Sequence, residues 1–67
     1  MPRVIIQMVE GRSLDKKRQL VKNVTDTMAE TLGISKDRIS IVIHELKETE
    51  LAHGGVLWCD RDVKPYV

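Results

Sequence analysis

The chain has 67 residues, and eleven Lys and Arg against ten Asp and Glu leave a net charge of +1, so it holds a single domain, 1–67, of mixed and nearly neutral surface. That balance excludes the basic excess of a nucleic-acid binder, and Trp58 and Tyr66 are too few and too far along the chain for a base-stacking platform. No apolar run approaches the roughly 18 residues of a membrane span, and no secretory pattern follows Met1-Pro2-Arg3.

A single cysteine, Cys59, rules out an internal disulfide, and a lone thiol without an export signal reads as cytoplasmic. His53, Cys59 and Asp60 are too irregularly spaced for a metal site, so neither a metal nor any other cofactor is expected. A chain this short buries only about 60% of the surface that its unfolded form exposes. With no disulfide or metal to compensate, oligomerisation is the expected source of stability, and an assembly of this kind can build an active site across subunit boundaries.

Pro2 to Val9 is rich in β-branched residues and reads as a strand, its nearly continuous apolar content suited to cover on both faces. Glu10-Gly11-Arg12-Ser13 interrupts it. Ser13 is placed as a helix N-cap, with Asp15 in the first turn suiting the positive end of the dipole and Lys16-Lys17-Arg18 sitting awkwardly close to it. Leu20, Val21, Val24, Met28 and Leu32 form one apolar stripe on a helix of about 18 to 20 residues, and Gly33 supplies a left-handed stop.

Ser35-Lys36-Asp37 then leads into a second strand, Arg38 to Glu45. Its alternation puts Ile39, Ile41 and Ile43 on one face and Arg38, Ser40, Val42 and His44 on the other. Strand, helix and strand with so long a crossover imply a parallel pair joined right-handedly. Gly54-Gly55 reads as a turn into a short ribbon, Val56 to Cys59. Trp58 is expected at a subunit interface and Cys59 as a small buried hydrophobe. Asp60 to Val67 carries no readable signal beyond Pro65. The fold expected is α+β: a β-α-β protomer with parallel strands, a crossover helix and a short C-terminal β-ribbon, oligomeric because its sheet edges and one sheet face are bare.

In order and spacing, Met1-Pro2 opening a strand, Glu10-Gly11-Arg12-Ser13, an amphipathic helix, Ile39-Ser40-Ile41-Val42-Ile43 and Gly54-Gly55 occur together over roughly 2–58. With these features the chain resembles the 4-oxalocrotonate tautomerase family. The resemblance implies a trimer of dimers, built from one chain or from two related ones, with a place in aromatic degradation. It also implies loss of Met1, so that the amine of Pro2 becomes a general base moving a proton between carbons of an enol or dienol. The substrate implied is a small 2-hydroxy or 2-oxo unsaturated carboxylic acid.

Physical chemistry agrees with that role. An α-amino group titrates near 7.7–8.0, apolar walls and neighbouring arginines lower that value, and a base with a pKa near the working pH is efficient. Arg12, in its Gly-Arg context, matches the family's carboxylate-binding arginine, and a planar guanidinium suits bidentate capture.

Two positions depart from the pattern. Ser40 stands where well-characterised members carry a second arginine, and Arg38, about 7 Å away along an extended strand, either takes over that role or is a surface residue. Leu51 replaces the pocket phenylalanine and keeps a dry wall of different shape. His44 shares the face of Ser40 and is read as structural. Relatives that use the same proline for dehalogenation, hydration or decarboxylation define one alternative, and a non-catalytic oligomer of the same fold another.

Overall fold

The computed structural model describes residues 1–62; the tail from 63, with Pro65 and Tyr66, lies outside the described residues. Strand β1 (Arg3–Val9) is followed by helix α1 (Leu14–Leu32), a 3₁₀ turn (Lys36–Arg38) and strand β2 (Ser40–Leu46). A hairpin of β3 (Ala52–His53) and β4 (Val56–Leu57) runs into a second 3₁₀ turn, Trp58–Asp60. β1 and β2 pair in parallel from Arg3↔Ser40 to Val9↔Leu46, as the crossover length demands, and β3 and β4 pair antiparallel.

The helix starts and stops where its chemistry dictates. The Ser13 hydroxyl accepts the Lys16 N–H at 3.2 Å, satisfying one of the free donors of the first turn. Gly33 closes the helix at φ 66°, its N–H donating to the Ala29 carbonyl, a left-handed position that glycine takes without steric cost. The basic cluster at the helix start is relieved by pairing. Lys17 reaches across to Glu45 of β2, and Arg18 pairs with Asp15 of its own first turn at 2.9 Å.

The Lys17–Glu45 pair also identifies the sheet face toward α1. Alternation groups Glu45 with Ile41 and Ile43, and the register groups these with Val4, Ile6 and Met8, all half-buried except Glu45. On the opposite face Ile5 is 62% exposed, and its cross-strand partner Val42 is 39% exposed. Among the described residues only Trp58 is fully buried, at 2% exposure.

Three expectations are corrected here. β2 begins at Ser40 rather than Arg38, because the Ser35 hydroxyl caps a 3₁₀ turn that takes up Lys36 to Arg38. Trp58 is buried within its own chain rather than left for a subunit interface. Cys59 is exposed, with its Sγ 3.7 Å from Asp60 Oδ1. A 3₁₀ turn advances three residues per revolution, so turning Trp58 inward carries its neighbour Cys59 around to solvent.

Candidate active site

Pro2 sits at the head of β1, half-buried, and its carbonyl accepts the Ser40 N–H at 3.2 Å. Having no N–H to offer a ladder, proline is at home at the start of a strand. While Met1 is attached, the Pro2 nitrogen belongs to a peptide bond. The next residue, Arg3, lies opposite Ser40 in the register, and its Nε donates to the Ser40 hydroxyl at 3.3 Å. Sequence reasoning passed over Arg3, because this contact becomes visible only once the register is fixed.

Arg38 reaches the same end of the sheet by another route. It closes the 3₁₀ turn, its N–H donating to the Ser35 carbonyl at 3.1 Å, and its side chain is exposed. The turn is tied to α1 through Asp26, which accepts from Lys22 and Lys36 at 2.8 Å each. The hydrogen bonds from Lys22 and then Lys36 hold the Asp26 carboxyl down at about 2 and raise Lys36 above its ordinary value. Arg38 is thus carried on a tethered turn, and Ile39, extended at φ −102° and ψ 122°, links it to Ser40, so the displacement of about 7 Å expected of an extended strand is kept.

Arg12 lies at the other end of β1. It is half-buried, and its Nη1 donates to the Val9 carbonyl at 3.2 Å. Val9 is six residues beyond Arg3, about 20 Å along a strand rising about 3.3 Å per residue. Leu51 belongs to the connector that leaves β2 at the Arg12 end; it is half-buried, and its carbonyl accepts the Trp58 N–H at 2.8 Å. A single chain therefore gathers Pro2, Arg3, Arg38 and Ser40 at one end of the sheet, with Arg12 at the other.

His44 is exposed on the open sheet face opposite Gln7. The ring of His53 lies 6.2 Å from that of Trp58. Among the described residues no three His, Cys, Asp or Glu side chains are grouped so as to hold a metal. No helix among them is long and apolar enough to cross a membrane.

A parallel β-α-β unit ending in a hairpin is the tautomerase fold. A solved structure of a 4-oxalocrotonate tautomerase homologue superposes with a TM-score of 0.88 at 30% identity, covering 94% of this chain and all of that one. A heterohexamer 4-oxalocrotonate tautomerase from Chloroflexus aurantiacus superposes with a TM-score of 0.84 at 25% identity, covering 90% of this chain and 97% of its own. The 2-hydroxymuconate tautomerase of Bacillus subtilis is 40% identical over 55 residues, which is 82% of this chain and 89% of that protein. The family model described as "Tautomerase enzyme" matches residues 2–61, and the chain belongs to that family.

Proposed function

We propose that the chain is a cofactor-independent isomerase in which the amine of Pro2, freed by loss of Met1, shuttles a proton on a small 2-hydroxy or 2-oxo unsaturated carboxylic acid. The observation that carries this reading is Pro2 itself. It heads β1, half-buried, and is fastened to β2 through its carbonyl, so that its nitrogen stays free to work once Met1 is gone. The amine takes the proton of the enol hydroxyl, the oxygen's electron pair forms the carbonyl, and the double bond shifts. The resulting ammonium returns its proton to carbon, so nothing is consumed.

In this reading Arg12 anchors a carboxylate, Arg38 or Ser40 faces the oxo end, and Leu51 is an apolar wall. The separation of Pro2 from Arg12 along β1 supports a site completed by neighbouring copies, as do the open sheet face and the single fully buried side chain among the described residues. We read the assembly as a hexamer of this chain, or of this chain with a related one. The lone Cys59 supports a cytoplasmic setting, and the likeness to a 2-hydroxymuconate tautomerase supports a role in aromatic degradation.

The test is ketonisation of 2-hydroxymuconate and phenylenolpyruvate by protein that begins at Pro2. Arg12→Ala is expected to raise KM for 2-hydroxymuconate more than it lowers kcat, because one carboxylate contact serves ground and transition states alike. A charge-assisted contact of about 1.5–3 kcal/mol corresponds to roughly a 10- to 150-fold loss in kcat/KM. Unchanged kinetics in Arg12→Ala would remove that arginine from the site. Light scattering is expected to give six chains per particle, and a folded monomer at micromolar concentration would refute the shared-site arrangement.

A further inference from the structure

Parallel pairing and alternation place Arg3, Ile5 and Gln7 of β1 beside Ser40, Val42 and His44 of β2 on the sheet face turned away from α1. None of these six residues is acidic. Of the cations on α1 and its following turn, Lys17 pairs with Glu45, Arg18 with Asp15, and Lys22 and Lys36 with Asp26, while Lys16 and Arg38 take part in none of these pairs. Among the described residues Arg3 has no ion-pair partner, and it lies next to Pro2 in the chain. Its one polar contact runs from Nε to the Ser40 hydroxyl at 3.3 Å. That contact leaves both terminal guanidinium nitrogens, and the hydroxyl proton of Ser40, free to donate.

We propose that Arg3, steered by Ser40, is an anion-binding residue of the Pro2 site, taking the carboxylate and adjoining 2-oxo or 2-hydroxy oxygen at the reacting end of the substrate. The proposal rests on the isomerase reading above and adds to it a residue and a division of labour. Arg12 takes the distal carboxylate where the substrate has one, and Arg3 takes the end at which charge develops. A guanidinium fixed through Nε keeps two parallel donors for two neighbouring oxygens, a geometry that a lysine ammonium does not reproduce. The oxygen gains negative charge as the enol proton leaves, so this contact strengthens toward the transition state.

The experiment compares Arg3→Ala, Arg3→Lys and the parent, all beginning at Pro2 and checked for unchanged particle size. Arg3→Ala is expected to lower kcat/KM about 10- to 150-fold on both 2-hydroxymuconate and phenylenolpyruvate, with a fall in kcat itself. Arg12→Ala affects chiefly the dicarboxylate. Arg3→Lys is expected to recover part of the loss, since it restores the charge without the fork. Binding of 2-oxoadipate, followed by titration calorimetry, is expected to weaken about tenfold or more in Arg3→Ala. Loss of 2-oxoadipate binding in a protein that turns over neither enol would uphold the anion site while refuting the isomerase reading. Kinetics and 2-oxoadipate affinity both within threefold of the parent in Arg3→Ala would overturn the proposal.

Discussion

Protein that retains Met1 is expected to show no turnover, while protein that begins at Pro2 is active. In the Met1–Pro2 peptide the nitrogen lone pair is delocalised into the carbonyl, so it accepts no proton at neutral pH. Removal of Met1 converts it to a secondary amine held by a rigid ring. General-base catalysis is worth typically 10²–10⁴-fold, and blocking the nitrogen removes at least that much. Pro2→Ala keeps an amine at the same point of the chain, and is expected to retain a fraction of the activity within or above that loss. The assembly is expected to persist in both forms and in the variant. Pro2 joins the sheet through its carbonyl, which accepts the Ser40 N–H, and the Pro2→Ala substitution leaves that backbone acceptor in place. Intact mass paired with the ketonisation rate is the measurement. Equal rates with and without Met1 would show that the proton moves through another group.

How far the sequence could be read differs between backbone and site, and for physical reasons. The elements were legible because each is fixed locally. A β-branched run makes β1, a stripe at helical spacing makes α1, and Ser13 and Gly33 sit where their side-chain and backbone chemistry is needed. The hairpin was legible through Gly54 and Gly55, whose φ values of 57° and 82° are those of a tight two-residue turn. Arg38 was misplaced because alternation was extended one turn too far toward the N-terminus. Ser35-Lys36-Asp37 is itself a capping signal, the Ser35 hydroxyl accepting the Asp37 N–H at 3.3 Å, and it starts a 3₁₀ turn before the strand can begin. Arg3 was passed over because its contact with Ser40 spans 37 positions, a relation that belongs to the register and has no local signature. Lys17 looked like a misfit at the positive end of a helix until Glu45 was brought across from β2. The candidate site was legible residue by residue, while its division between the two ends of β1 followed only from the paired strands.

Trp58→Ala is expected to be the most destabilising single substitution in the chain. Trp58 is the one fully buried side chain among the described residues, and truncation of a buried aromatic to alanine costs about 3–5 kcal/mol. For a domain whose stability is of order 0.05–0.15 kcal/mol per residue, that loss rivals the whole. The backbone that carries the indole is bonded locally as well. The Trp58 backbone N–H donates to the Leu51 carbonyl at 2.8 Å, the Cys59 N–H to the Glu48 carbonyl at 3.2 Å, and the Arg61 N–H to the Trp58 carbonyl at 3.3 Å. Trp58→Ala keeps these backbone bonds but withdraws the buried ring that lies 6.2 Å from the ring of His53 in the hairpin; the hairpin and Leu51, the proposed pocket wall, are expected to loosen, and KM to rise even where the variant still folds. Trp58 is the only tryptophan, so unfolding by urea has to be followed by far-ultraviolet circular dichroism rather than by intrinsic fluorescence. Trp58→Phe, which keeps an aromatic ring, is expected to lose much less. The transition midpoint of every variant should climb with protein concentration, since assembly and folding are linked by mass action. A shift below about 1 kcal/mol in Trp58→Ala at matched concentration, against the cost of emptying a buried aromatic site, would mean that contacts between chains, rather than this ring, hold the hairpin in place.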